Sequence, residues 1–292
     1  MISQEGVSWP LCKRTPMEDA MRDFESRSAR PALMSPGWAL PFGLGALLLG
    51  ASCALSGVEE TEELSAPLGP GQTVKVETRN GRVEVKAGTP GRVKVKAIKK
   101  ARATSKPEEL LKEIKVKVVP GPDRVRISSE HPSGSLSRQF GVSFILEVPP
   151  GTKIAVETRN GGIKVSGVGG NVRAETRNGK VSVEDAKGTN RLVTRNGAIH
   201  LSGSPTAFEL DSKNGAIRVS LGPQTALVGA SSAVTRNGAI DLSAAPSFKA
   251  ILNASTKNGR VKSDFPTGGE ARPGEPSVRL QTKNGAIRIE KR

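Results

Sequence analysis

The chain has 292 residues, which suits one large domain or two ordinary ones. Aromatic residues make up only 3% and tyrosine is absent, so a core built on large rings is excluded and Val, Ile, Leu and Ala must form it. The net charge of +16 favours anionic partners such as nucleic acid, acidic glycan or an anionic membrane surface, but it says nothing about fold.

An apolar run near the start indicates export. Residues 31–58 carry no charge, and Ala39–Cys53 reads ALPFGLGALLLGASC. A short apolar run that ends in small residues is typical of an export signal, and its proline and glycines disfavour a spanning helix. The end of the run resembles a bacterial lipobox, in which the signal is cut before a cysteine that then carries lipid. Gly50 stands where lipoboxes prefer Leu, so lipidation of Cys53, an ordinary cleaved signal and an uncleaved anchor stay open.

The first 30 residues differ from the short basic start of an export signal. A translation start at Met17 or Met21 would place three arginines directly before the apolar run. Cys12 would then be absent and Cys53 would be the single cysteine, so no disulfide framework could form. By resemblance to Gram-negative lipoproteins, Ala54 lacks the aspartate that retains such proteins at the inner membrane. An outer-membrane lipoprotein is therefore the expected location.

Four segments are predicted along the chain. They are an export segment at 1–52, a tether at 53–72, and a stack of repeated coils, or solenoid, with a β-rich N-terminal part at 73–150 and regular repeats at 151–292. The tether is acidic through four residues, Glu59, Glu60, Glu62 and Glu63.

Alternation of apolar and polar residues begins at Thr73 and indicates half-buried strands. Later strands are predicted at Val93–Ile98, Ile114–Val119, Val125–Ser128 and Phe140–Val148. One short helix from Ser105 to Glu113 is also predicted, because a serine followed three residues later by glutamate forms a capping box.

A cluster of basic residues surrounds the Val93–Ile98 strand and makes one of its faces basic. The cluster consists of Arg92, Lys94, Lys96, Lys99, Lys100 and Arg102. A charged face of this kind is typical of an edge strand that discourages aggregation.

The string Thr/Ser-Arg/Lys-Asn-Gly occurs eight times in the chain. Three successive spacings are 18 residues and the last three are 23, 21 and 26, a period that indicates a repeat architecture. Counted from each Asn, the inward-facing positions are an even number of residues before it and an odd number after it. This change of parity predicts a bend at Asn-Gly, with Gly in a conformation that other residues resist. The asparagines are Asn80, Asn160, Asn178, Asn196, Asn214, Asn237, Asn258 and Asn284.

Two folds share this parity, since Asn-Gly is also the strongest signal for a two-residue hairpin. A meander of hairpins satisfies it, and so does a solenoid in which each repeat of 18–26 residues is one coil stacked on the next. Stacking places identical residues of successive coils roughly 4.8 Å apart. This explains why Thr, the cation, Asn and Gly recur at the same position of each repeat. We therefore expect an all-β solenoid.

The segment Ile145–Gly151, ILEVPPG, followed by Ile154–Gly161, IAVETRNG, resembles the bacterial putative-adhesin family of β-strand repeats. That family is a domain of unknown function similar to adhesin-head GIN domains, and the resemblance covers roughly Val58 to Arg292. It implies a right-handed parallel β-helix on an exported cell-envelope protein. It supplies no catalytic residues.

The asparagines are expected to form a structural corner ladder, because stacked amides can hydrogen-bond along a coil stack. If the amides are buried, Asn196→Ala should cost about 1–3 kcal/mol of stability. The Thr/Ser hydroxyls beside them are expected to pair between coils.

The residue before each of these asparagines is always a cation, and its position alternates with the inward-facing ones, so its side chain is expected to point outward. We call this set the cation column, and it is the candidate anion-binding site. The alternative is a solvated row that neighbouring acids pair with, since Glu77, Glu157, Glu175 and Asp211 lie two residues earlier on the same face. The members of the column are Arg79, Arg159, Arg177, Arg195, Lys213, Arg236, Lys257 and Lys283.

The residues give little support for catalysis. His131 and His200 have no recognisable base or metal spacing, and Glu184-Asp185 is the only adjacent acidic pair inside the regular repeats. We therefore expect no enzymatic activity, no cofactor and no metal. Nucleic acid is a poor partner, because no aromatic residues are interleaved for stacking on bases.

The expected function is adhesin-like binding or scaffolding at the cell envelope, with an anionic glycan or another polyanion as partner and a membrane attachment through lipid. The alternative is a purely structural or regulatory envelope protein without a specific ligand. A polysaccharide-active β-helix enzyme ranks third.

Overall fold

The computed structural model describes residues 58–101, 111–130 and 140–292. Cys53, the export segment and most of the predicted helix lie outside the described residues, although residues 111–113 are helical. The described strands are β1 (Val58–Pro67), β2 (Thr73–Asn80), β3 (Val83–Ala87), β4 (Arg92–Ala101), β5 (Lys115–Pro120), β6 (Arg124–Glu130), β7 (Phe140–Val148), β8 (Lys153–Asn160), β9 (Ile163–Ser166), β10 (Val172–Asn178), β11 (Val181–Ala186), β12 (Thr189–Asn196), β13 (Ile199–Gly203), β14 (Ala207–Asn214), β15 (Ile217–Leu221), β16 (Ala230–Asn237), β17 (Ile240–Ala244), β18 (Ile251–Asn258), β19 (Val261–Ser263), β20 (Ser277–Asn284) and β21 (Ile287–Lys291).

The strands form two sheets, and each repeat contributes one strand to each of them. Sheet A has the order β1-β4-β7-β3-β9-β11-β13-β15-β17-β21-β19, and sheet B has the order β18-β20-β16-β14-β12-β10-β8-β2-β6-β5. Asn-Gly joins a sheet B strand to a sheet A strand. Repeats pair with neighbouring repeats in parallel, so the solenoid-like arrangement is confirmed and the hairpin meander is wrong.

Identical residues lie opposite each other in this stack. Asn178 pairs with Asn160 on one side and with Asn196 on the other, and Ile199 pairs with Ile217 in the other sheet. A one-residue slip would turn every inward side chain outward, so burial fixes this register.

The core lies between the sheets and consists mainly of aliphatic side chains. Alternate residues of each strand are buried, as Leu192 and Leu201 show with 0% exposure each. Burying one such side chain contributes about 1.5–3 kcal/mol. Among the described residues, only three large rings are fully buried, those of Phe140, Phe144 and Phe208.

The corner glycines are required by the close approach of neighbouring coils. A Cβ on Gly197 would lie 2.0 Å from the carbonyl oxygen of Gly179, and all eight corner glycines have such a contact at 1.9–2.1 Å. Five of the eight have no positive φ, so the predicted special conformation is not the common reason. Any side chain would push the stacked backbones apart.

The last two repeats stack in the reverse of their sequence order. β20 and β21 lie between the β16–β17 coil and the β18–β19 coil, which occupies the end of the stack. The expectation that each repeat stacks on the next is therefore wrong here. Val261 in β19 is 41% exposed because no further coil covers it.

The N-terminal strands differ from their predicted roles. The strands predicted at β4, β5, β6 and β7 are present, but part of the predicted tether is also a strand, β1, which pairs antiparallel with β4. The basic β4 is therefore no edge strand. It lies between β1 and β7, and the acidic β1 covers its edge.

Candidate functional site: an asparagine ladder beside a cation column

Eight corner asparagines form one continuous hydrogen-bonded ladder. In each coil the amide Nδ2 donates to the Oδ1 of the neighbouring asparagine at 2.7–2.8 Å. At one end, Asn80 Nδ2 donates to the carbonyl oxygen of Phe140 at 3.1 Å. At the other end, Asn258 donates to Asn284, which donates to Asn237.

The ladder lies at the surface. All of its asparagines are exposed except Asn80, which is half-buried, so the burial expected from the sequence is wrong. An amide nitrogen carries two N–H groups, and the ladder uses one of them in each coil. Among the described residues, no acceptor takes the second N–H of the inner amides.

Two further bonds per coil hold the corner rigid. The threonine or serine hydroxyl donates to the corner glycine carbonyl of the neighbouring coil at 3.0–3.1 Å. Seven of the corner glycine N–H groups donate to an asparagine carbonyl at 2.9–3.1 Å. Two threonines are exceptions. The Thr78 hydroxyl donates to the carbonyl oxygen of Val142 at 3.2 Å, and the buried Thr158 hydroxyl has no partner among the described residues.

The cation column runs beside this ladder. Its eight side chains are exposed, apart from the half-buried Lys213. In the described part of the chain, none of them lies within 4.0 Å of a carboxylate; the ion pairs there involve other residues. Within the described residues, no direct ion pair therefore compensates the charge of the column.

Three of the four acids that were expected to neutralise the column have other partners, and Asp211 forms no ion pair in the described residues. Glu77 and Glu157 lie 2.6 and 3.7 Å from the Nζ of Lys75, and Glu175 lies 2.6 Å from Arg173. The hydrogen bond from Lys75 lowers the pKa of Glu77, against the opposing effect of burial. These cations, four residues before the column in sequence, were not identified from the sequence pattern.

Column and ladder together line a shallow groove on the corner of the stack. Its lining residues are Arg159, Asn160, Arg177, Asn178, Arg195, Asn196, Lys213 and Asn214. A neighbouring depression on the outer face of sheet B continues the line past Lys213 to Arg236, Lys283 and Lys257. The repeated string predicted these residues, while the groove depends on the stacking order.

Other candidate chemistry is sparse in the described residues. His131 lies outside them, and His200 on the outer face of sheet A is half-buried. Desolvation and the charge of Lys180 lower the pKa of His200. No group of three His, Cys, Asp or Glu side chains suited to a metal ion occurs in the described ranges. Within the same ranges, no helix has the length and apolar character needed to cross a membrane.

The fold and the corner define a class of protein, an all-β repeat protein with two parallel-rich sheets in a solenoid-like arrangement. The chain belongs to the Toastrack DUF4097 family, a domain of unknown function, whose family model matches residues 72–290. No curated protein is significantly similar to it in sequence.

Three solved structures are similar to this chain. A putative adhesin from Bacteroides fragilis is 14% identical with a TM-score of 0.47, over 79% of this chain and 97% of that one. A putative cell adhesion protein from Clostridium sporogenes is 16% identical with a TM-score of 0.38, over 80% and 100%. A putative adhesin from Parabacteroides distasonis is 10% identical with a TM-score of 0.37, over 78% and 97%.

Proposed function

We propose that the cation column is a binding stripe for an extended anionic polymer. The observation that carries the proposal is the line of eight cations in neighbouring coils with no ion pair in the described residues. We further propose that the protein is a non-enzymatic, exported envelope protein anchored through lipid on Cys53, with an adhesin-like binding or scaffolding role.

The charge of the column has an energetic cost without a partner. Unit charges about 4.8 Å apart repel by roughly 0.9 kcal/mol in water before salt screening. A column selected only for stability would be neutral, like the asparagine ladder beside it. An anionic ligand removes this repulsion and releases counterions, so binding converts an unfavourable row into a favourable one.

The shape of the stripe favours a single extended chain. Eight members span seven steps, roughly 34 Å. Each inner coil offers one cation and one spare amide N–H, which suits a polymer with one carboxylate per unit and a hydroxyl acceptor nearby. Glu157, Glu175 and Asp211 flank the stripe on the same face, so a wide polyanion such as duplex nucleic acid would meet like charges.

We infer that the solenoid is right-handed, because crossover connections between parallel strands of one sheet strongly favour that hand. Export and lipidation are inferred from the apolar run that ends at Cys53. The competing function is a purely structural or regulatory envelope protein whose positive corner has no ligand. A polysaccharide-active enzyme is the third candidate.

A length series of acidic oligosaccharides tests the stripe. Oligouronates of two to twelve units should bind with affinity that rises with length and levels off near the number of column members. Affinity should fall about tenfold or more between low and high salt, as counterion release requires. The same oligomers with reduced, neutral carboxyl groups should not bind.

Charge variants locate the binding. A triple variant in which Arg177, Arg195 and Lys213 are each replaced by Gln should bind about tenfold or more weakly while the fold stays intact. The matched control replaces Arg218, Lys262 and Arg288 on the outer face of sheet A with Gln, and it should bind like the wild type. Equal loss in both variants, or no binding at any salt, would establish the structural alternative.

A further inference from the structure

The acidic strand β1 and the basic strand β4 are complementary along their whole length. They pair antiparallel over ten residue pairs, from Val58 opposite Ala101 to Pro67 opposite Arg92. Sequence analysis identified an acidic tether and a basic strand as separate features. In the fold they lie against each other at the edge of sheet A.

Four ion pairs connect the two strands. Glu59 lies 2.5 Å from Lys100, and Glu63 lies 3.4 Å from Lys96. Glu60 and Glu62 both contact Lys99, at 3.6 and 3.0 Å. The edge of β4 therefore matches an acidic strand in one register.

Lys99 makes this match specific. It occupies an inward position between Ala97 and Ala101, and its side chain is only 8% exposed. A buried ammonium is strongly unfavourable unless a carboxylate accompanies it. A strand without acids opposite Lys99 would leave that charge unpaired, so the edge of β4 selects acidic strands.

β1 itself is held with little apolar burial. Ala66 is its one fully buried residue, and Val58 and Leu64 are half-buried, whereas β7 buries five of its nine residues. Backbone hydrogen bonds and charges therefore hold β1 in place. Strands with so little apolar burial belong to the least stable part of a fold and detach first. Residues 68–72, which include Gly69-Pro70-Gly71, connect β1 to β2.

We propose that the edge of β4 is an exchangeable strand-binding seat whose second occupant is β1 of another copy of this chain. The sequence of β1 fits the seat residue by residue, so the same segment from a second molecule fits equally well. Exchange of identical elements between copies needs no new contacts. The result is a reciprocal strand-swapped dimer that forms at high protein concentration and low salt.

Charge reversal tests the exchange. One variant carries Glu59, Glu60, Glu62 and Glu63 replaced by Lys, and the other carries Lys96, Lys99 and Lys100 replaced by Glu. Each variant repels its own β1, but in a mixture each β1 fits the β4 of the other. Both variants keep a net positive charge, so bulk attraction does not drive association.

Light scattering on the separated species should show monomers for each variant alone and a one-to-one dimer for the mixture. The dimer should dissociate as salt rises from about 50 to about 500 mM, because salt screens the pairs. Variants that combine both sets of substitutions in one chain should behave like the wild type. A mixture of folded variants that stays monomeric overturns the proposal.

A peptide probe covers the case in which the variant with reversed β4 does not fold. A labelled peptide of residues 58–67 should bind the variant with reversed β1, whose own strand no longer fits the seat. Its affinity should fall about tenfold or more over the same salt range. A peptide with lysines in place of the glutamates should not bind, and equal binding of both peptides overturns the proposal.

Discussion

The regular repeats at 153–221 and the N-terminal strands β1 and β4 pair in opposite ways. At the corners of the repeats, parallel strands place like residues beside like, so Asn contacts Asn and each cation of the column has a cation as its neighbour. In β1 and β4, antiparallel strands place glutamates opposite lysines. A stacked column cannot neutralise its own charge, whereas an antiparallel pair of unlike strands can. No carboxylate of the described residues therefore pairs with the cation column, while much of the charge of β4 is satisfied within the chain.

Gly197→Ala should have the largest effect, because it tests the close stacking of the repeats. The new Cβ would lie 2.0 Å from the Gly179 carbonyl oxygen, so the backbones must separate. We expect a loss of about 3 kcal/mol in the free energy of unfolding, measured by urea denaturation. Gly162→Ala is the matched control, since four other repeats have Ala at this position and the nearest atom is 3.3 Å away. A loss as large in the control would show that the corner is generally intolerant.

Replacing both Glu60 and Glu62 by Gln tests the pairing of glutamates with lysines in the N-terminal strands. The buried ammonium of Lys99 loses both carboxylates, which are themselves partly exposed. We expect a loss of about 2 kcal/mol in the free energy of unfolding, with early hydrogen exchange in β1. Glu130→Gln breaks the exposed pair with Lys117 and should cost about 0.5 kcal/mol or less. Equal losses of stability would mean that burial of Lys99 does not strengthen its ion pairs.

Asn196→Ala examines the ladder at an inner coil. The substitution removes the bonds to Asn178 and Asn214, but water can reach the exposed amides that remain. We expect a loss of about 1 kcal/mol, at the lower limit of what burial would have implied. Asn258→Ala, at the end of the ladder, removes one such bond and should cost about half as much. Thermal denaturation measures both losses. Equal costs would mean that the number of ladder bonds removed does not determine the loss of stability.

The pKa of His200 gives the smallest effect. Its pKa is lowered from the ordinary value of 6.5, so the unfolded chain binds the proton more tightly than the folded one. Stability should therefore fall as pH drops through the window just below 6.5 and level off once the folded form is also protonated. His200→Gln should remove this part of the pH dependence of the melting temperature. An unchanged pH profile would mean that the environment of His200 does not favour its neutral form.

The sequence was sufficient to predict most of the fold and the position of the candidate site. The alternation of residues on each side of Asn-Gly predicted which side chains are buried. The recurrence of the string at the same position of each repeat predicted stacked coils. The order of the last two repeats was not predictable, because Asn258 and Asn284 lie in equivalent strings and either coil fits against Asn237. β1 was missed because its partner β4 is distant in sequence and its glutamates do not alternate regularly with apolar residues.

The place of the last coil has a consequence for the order in which the stack can assemble. Residues 251–263 precede residues 277–291 in the chain, yet the later segment lies between the earlier one and the rest of the stack. Each coil from β8 to β17 can add to its predecessor as soon as it is available. The β18–β19 coil cannot take its final neighbour until β20 and β21 are also available. Assembly of this end of the protein therefore waits for residues 277–291, and a chain truncated before them would leave the β16–β17 coil uncovered or paired with the wrong repeat.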